Sequence, residues 1–215
     1  MWWLLIPVAL GIGKAIHSVV TEESHVVSMR APESILVQNL NRLRASTLSP
    51  HPRRIAILGQ PGAGKSTILK KISGGQARPL PTIGTQTDAT NWADSANACL
   101  LSVWDGHVVS DVPGYDTSSH PVAAFTEGFP FSHFAMILLI VNGKVRGADV
   151  EIYQRIVASE TPVLVVRSHA DSLSESERRT VRTDLHKQFA KLARKSLVFV
   201  SSRDGEGIEG LRAIL

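Results

Sequence analysis

A chain of 215 residues, 43% of them hydrophobic, holds one domain of ordinary size plus a short extension, and its composition excludes a disordered protein. A net charge of +4 is mild, and no basic run is interleaved with aromatics, so nucleic acid is not an expected partner. The single cysteine, Cys99, excludes an intrachain disulfide and points to a reducing, cytoplasmic setting; no Cys/His spacing suits structural zinc.

The chain opens on MWWLLIPVALGI, then Gly13, Lys14 and a second apolar stretch through Val20. The uninterrupted run is shorter than the roughly 18 residues a spanning helix needs. It also lacks the basic start and small-residue cleavage site of a secretory signal. Trp2 and Trp3 suit a membrane–water boundary. Three readings stand for residues 1–20: an apolar helix that attaches the protein to a membrane, one that docks on the following domain or another subunit, or a cleaved signal. Residues 21–52 read as a connector. Within it, ESILVQNLNRLR sets Ile35, Leu36, Leu40 and Leu43 near one helical face, so a short amphipathic helix is expected. STLSPHP, residues 46–52, has the prolines and small polar residues of a boundary, and the main domain is expected over residues 53–215.

Arg54 to Leu58 is a β-branched, apolar run, followed by Gly59-Gln60-Pro61-Gly62-Ala63-Gly64-Lys65-Ser66-Thr67. This fits G-x-x-x-x-G-K-[ST] at every fixed position, between a strand and a helical stretch. Phosphate oxygens need several N–H donors converging on one point, and only a loop with little side-chain bulk supplies them. The helix starting near Lys65 adds its positive end. Lys65 would neutralise the outer phosphates and the Ser66 hydroxyl would ligate Mg²⁺.

Leu100 to Trp104, a turn at Asp105-Gly106, and His107 to Ser110 read as a hairpin. It runs into Asp111-Val112-Pro113-Gly114, where Asp111 would hold Mg²⁺, through water, and the Gly114 amide would sense a terminal phosphate. Ala135 to Val141 is apolar throughout, as a strand buried on both faces should be. A helix over Asp149 to Ala158 and a strand over Pro162 to Val166 follow. They lead to Asp171, whose carboxylate can accept from guanine N1–H and N2–H₂, donors that adenine lacks in that arrangement. Ser174 and Glu177 form a capping box for a helix from about Glu175 to Lys195, with Val181, Leu185, Phe189 and Leu192 as its buried stripe. After a last strand over Leu197 to Val200, the turn Ser201-Ser202-Arg203 can offer backbone N–H groups to guanine O6.

Together these stretches resemble the translation-factor-like P-loop GTPases. VSSRDGEGIEGLRAIL looks like the ending of the Era and TrmE group. SDVPGYDT, FPFSHFAMILLIVNG and VVRSHAD look more like the immunity-related GTPases. The resemblance implies a Ras-like, doubly wound α/β fold: a mostly parallel sheet with helices on both faces. It further implies GTP and GDP as ligands, Mg²⁺ as cofactor, hydrolysis of GTP, and often self-association or membrane attachment. The family's [NT]-K-x-D stands here as Ser168-His169-Ala170-Asp171, with an imidazole where a lysine stem usually covers the base. Its S-A-x is Ser201-Ser202-Arg203. A switch threonine completing the Mg²⁺ ligands falls in PTIGTQTDAT, with Thr85 favoured, Thr87 close behind and Thr82 open. The implied catalytic set is Lys65, Gly114 and Thr85. Where many relatives carry the glutamine that orients water, this chain has Tyr115. Slow intrinsic turnover is expected, raised by a homodimer or an activating protein; the alternative is a nucleotide-binding scaffold with little hydrolysis.

Overall fold

Apolar runs without alternation become the centre of the sheet in the computed structural model, which describes residues 33–81, 83–84 and 90–215. Six strands, β1 (Arg54–Gly59), β2 (Ser102–Trp104), β3 (His107–Asp111), β4 (Met136–Val141), β5 (Val163–Arg167) and β6 (Leu197–Phe199), lie in the order β2-β3-β1-β4-β5-β6. All neighbours are parallel except β2 and β3, the hairpin. Asp105 and Gly106 both take positive φ, as two-residue Asp-Gly hairpin turns prefer. On the outer side of β2, the main chain of Arg78 exchanges two hydrogen bonds with Val103, at 2.9 and 2.7 Å.

β1 is buried along its whole length because helices cover both faces. Ala56 and Leu58 face a core shared with α1 (Ile35–Ser46), α3 (Val122–Gly128), α4 (Gly147–Ala158) and α5 (Glu175–Gln188). Ile55 and Ile57 face the core under α2 (Lys65–Ile72) and α6 (Ile208–Ile214). The doubly wound, mostly parallel architecture expected from the sequence is therefore present.

The amphipathic helix expected at residues 34–45 is α1. Ser34 Oγ accepts the Val37 N–H at its start. Leu36, Leu40 and Leu43 enter the first core, each contributing about 2 kcal/mol of apolar burial, while Ile35 lies towards solvent. Arg44 Nη2 donates to Gly128 O at 3.0 Å, tying α1 to the end of α3.

α5 corrects one expectation. Its capping box forms as read, with Ser174 N–H donating to Glu177 Oε2 at 2.7 Å, but the helix stops at Gln188 and not near Lys195. Phe189 is extended, Lys191 takes a positive φ, and the chain turns back towards β6. Phe189 and Leu192 are buried from that turn, not from a helical stripe; Phe189 packs on Tyr153 of α4 with ring centroids 4.7 Å apart. A helix continued straight to Lys195 would carry this aromatic off the sheet and the chain away from the start of β6.

The apolar helix expected over residues 1–20 lies outside the described residues. Among the described residues, no helix is long and apolar enough to cross a membrane.

Candidate functional site

The sequence motifs converge at the carboxyl ends of the parallel strands, where open α/β sheets take ligands. β1 ends at Gly59, and the phosphate loop turns through Gln60 to Gly64 into α2. Gly64 is the N-cap residue at φ 93°, a left-handed conformation, and offers no side-chain cap to the first amides of α2. Such a helix start presents N–H groups and a positive dipole end to an anion. Lys65 is only 7% exposed, and its Nζ donates to the Gly59 and Gln60 carbonyls, each at 3.0 Å. The ammonium is thus held over the mouth of the loop. Pro61, Gly62, Ala63 and Thr67 complete the turn and the first helical residues. Among the described residues, the buried amide of Gln60 has no hydrogen-bond partner at either Oε1 or Nε2.

Ser66, in the first turn of α2, donates to Asp111 Oδ2 at 2.6 Å. Asp111 ends β3, in register with Ile57 of β1, so the sheet itself brings the two motifs together. Thr90 Oγ1 donates to the same carboxylate oxygen at 3.2 Å and lies 3.5 Å from Ser66 Oγ. Burial pushes the Asp111 carboxyl above its ordinary range, against the opposing pull of the Ser66 hydroxyl, the Lys65 charge and the Thr90 hydroxyl. Its second oxygen, Oδ1, is buried with no hydrogen-bond partner among the described residues. One orphaned carboxylate oxygen beside two hydroxyls is an all-oxygen donor set that fits a hard cation such as Mg²⁺. Among the described residues no group of three His, Cys, Asp or Glu could hold a metal, so further ligands would come from phosphate oxygens and water.

Thr85, with Thr82 and Thr87, lies outside the described residues. Thr90, the last residue of the same PTIGTQTDAT run, is the threonine found beside Asp111. Sequence reasoning passed over it because loop threonines are alike in type; only their place in space separates them.

Gly114 lies against the phosphate loop. A Cβ added there would sit 2.5 Å from Pro61 N and 2.7 Å from its ring carbons, so only glycine permits this approach. The next residue turns away. Tyr115 is fully buried, and its hydroxyl donates to Asp149 Oδ1 at 2.7 Å. Asp149 Oδ2 accepts the Arg146 N–H at 2.9 Å, capping α4. Burial, helped by the Asp149 carboxylate, raises the Tyr115 hydroxyl well above its ordinary value.

At the carboxyl end of β5, Ser168 follows the strand and is buried, its N–H donating to Val141 O at 3.0 Å. His169 is exposed in a left-handed conformation, φ 54° and ψ 43°, with Nε2 3.9 Å from where a Gly64 Cβ would lie. The imidazole therefore flanks the phosphate loop. Asp171 follows in a 3₁₀ turn, Ala170–Ser172, and its carboxylate stands 3.9 Å from Arg203 Nη1. Ser201 Oγ accepts the N–H groups of Arg203 and Asp204 at 3.2 and 3.4 Å, ordering the turn that also carries Ser202. A residue without a motif binds these loops together. Arg178 of α5 pairs with both Glu206 carboxylate oxygens and donates to Ala170 O at 2.9 Å.

Residues 54–169 match the family described as 50S ribosome-binding GTPase. GTPase Der of Paenarthrobacter aurescens strain TC1 is 25% identical over 186 residues, 81% of this chain and 35% of its own length. The tRNA modification GTPase MnmE of Nitrosomonas eutropha is 26% identical over 204 residues, 90% of this chain and 41% of its own. The chain thus spans about two fifths of the length of the curated relatives it matches. Two solved structures share the fold. A probable GTP-binding protein EngB has a TM-score of 0.53 at 18% identity, covering 75% of this chain and 96% of that one. A bacterial selenocysteine-specific elongation factor EF-Sec has a TM-score of 0.53 at 17% identity, covering 77% and 28%.

Proposed function

Because the chain belongs to the 50S ribosome-binding GTPase family, we propose that it binds GTP and GDP with Mg²⁺ and hydrolyses GTP to GDP and phosphate as a conformational switch. The observation that carries this reading is the joining of Lys65, Ser66, Thr90 and Asp111 beside the start of α2. Backbone amides of Gly62 to Ser66 bind the phosphates. Lys65 leaves the Gly59 and Gln60 carbonyls for the β- and γ-phosphates, where it stabilises the charge of the transferring group. Ser66, Asp111 and a threonine hold Mg²⁺, which when bound offsets phosphate charge. Thr90 is the threonine that the geometry supports, and Thr85 remains the sequence-based candidate. The Gly114 amide reports the γ-phosphate; losing that contact on hydrolysis releases the loop after Asp111.

Guanine is selected by Asp171, which accepts from N1–H and N2–H₂, with His169 against the base and the Ser202 amide of the Ser201-Ser202-Arg203 turn facing O6, since the Ser201 and Arg203 amides are held within the turn by Glu206 O and Ser201 Oγ. Tyr115, anchored in the core, does not orient water. Intrinsic turnover is therefore slow, and a second copy or an activating protein supplies the missing group. The same observation favours the second reading, a nucleotide-holding scaffold with little hydrolysis. Residues 1–20 attach this otherwise cytoplasmic domain to a membrane surface.

Affinities for GTP, GDP and ATP, measured with phosphate release for the wild type and Lys65→Ala, test the reading. Guanine nucleotides should bind at least about tenfold tighter than ATP, and Lys65→Ala should abolish retention. Equal affinity for ATP, or retention indifferent to Lys65, overturns it. Phosphate release that rises with protein concentration supports activation by a second copy. Flotation with liposomes, with and without residues 1–20, tests the attachment.

A further inference from the structure

Trp92 lies two residues beyond Thr90, and both polar groups of its main chain are pinned by side chains distant in sequence. Its C=O accepts from Asn39 Nδ2 at 2.7 Å, and its N–H donates to His120 Nε2 at 3.1 Å. Asn39 is a fully buried residue of α1, upstream of the matched family region. Its second amide hydrogen goes to Ser95 O at 2.8 Å, and its Oδ1 accepts from Arg42 Nη1 at 2.6 Å, so the amide is held on both ends. Arg42 also donates to Ala96 O. His120 is 1% exposed, in the segment between Gly114 and α3. An accepting Nε2 requires the proton on Nδ1, which faces Ser119 Oγ at 3.1 Å. The Trp92 indole is itself buried in the core. With Trp92 fixed on both sides, Thr90 has only two residues of chain, about 7 Å at full extension, in which to move.

We propose that Asn39 and His120 are positioning residues that hold Thr90 at the Ser66–Asp111 pair by clamping the main chain of Trp92. This rests on reading Thr90, Ser66 and Asp111 as the Mg²⁺ site of a GTPase. The clamp joins three elements: α1, the segment after Thr90, and the segment after Gly114. A γ-phosphate bound with Mg²⁺ would fix the last two and, through the clamp, would tighten α1 as well; by reciprocity, a tighter α1 would favour the GTP-bound state. α1 is in consequence part of the switch, a built-in sensor of nucleotide state at the amino-terminal side of the domain.

The test uses the full chain and the variants Asn39→Ala, His120→Leu and His120→Gln. Affinities for GDP and a non-hydrolysable GTP analogue are measured across a Mg²⁺ titration, with circular dichroism as the check on folding. Asn39→Ala and His120→Leu should each lower the ratio of GTP-analogue to GDP affinity by about 5- to 10-fold and raise the Mg²⁺ needed for half-saturation, with GDP affinity within about twofold. His120→Gln, whose Oε1 replaces Nε2 as acceptor, should keep the wild-type ratio. Variants that melt earlier with an unchanged ratio, or that weaken both nucleotides equally, overturn the proposal. If the substitutions unfold the chain, hydrogen exchange on the wild type decides: amides of residues 35–46 should exchange more slowly with the GTP analogue than with GDP, and equal exchange overturns it. A wild type without Mg²⁺-dependent guanine-nucleotide binding removes the GTPase reading as well; normal binding with unaffected variants removes the clamp alone.

Discussion

Tyr115→Phe removes one oxygen from a fully buried pair and leaves the rest of the ring in place. Asp149 Oδ1 then loses the 2.7 Å bond, although Oδ2 keeps the Arg146 N–H. Asp149 is 2% exposed, so water does not replace the phenol. A hydrogen bond to a charged group contributes about 1.5–3 kcal/mol, and a buried acceptor left unpaired costs about as much. Urea unfolding should show a loss of about 2 kcal/mol, which for a domain of this size lowers Tm by about 4–8 °C. A double-mutant cycle with Asp149→Ala should recover about 1.5–3 kcal/mol of coupling, separating the pair from the cap Asp149 provides to α4. Because the hydroxyl faces the core, single-turnover phosphate release should stay within about twofold of wild type, against the roughly 100-fold loss expected on removing a group that acts on the reacting atoms. A steep fall in hydrolysis with unchanged stability would refute this, since it would place the phenol at the nucleotide.

Alkaline pH offers a second readout of the same pair. The folded-state value of the Tyr115 hydroxyl is raised, so its contribution is fully present below about pH 10 and is lost as pH rises through the folded value; unfolding curves of wild type and Tyr115→Phe should converge above pH 10. Gly114→Ala should push the Asp111–Gly114 loop off Pro61 and weaken GTP binding about tenfold while sparing GDP, as measured by competition with a fluorescent nucleotide. Arg178→Ala breaks the link between Glu206 and Ala170 O; the thermal unfolding midpoint should change little while guanine-nucleotide dissociation, followed by release of a fluorescent nucleotide, accelerates several-fold.

The most legible parts of the molecule were those where backbone geometry leaves few residue choices. The phosphate loop needs little side-chain bulk near its ligand, and the two-sided strands at Ile55–Leu58 and Ile137–Val141 read as unbroken apolar runs. What stayed hidden depends on partners far apart in sequence. Asn39 meets Trp92 across 53 positions and Arg178 meets Glu206 across 28, and no periodicity records such pairs. Thr90 is one hydroxyl among several in its loop, and the inward turn of Tyr115 follows from an aspartate 34 residues away. The overlong reading of α5 arose because Phe189 and Leu192 continue a helical spacing that tertiary packing overrides.

The borders of the sheet also bear on how this protein can assemble. β2 and β6, its outermost strands, have only three residues each, and the free margin of β2 is already taken by the main chain of Arg78. Unpaired strand margins are the usual template for ladder-like growth between chains, and short or occupied ones suppress it. Contact with a second copy through loops and helices is therefore favoured over extension of either sheet's hydrogen-bond ladder.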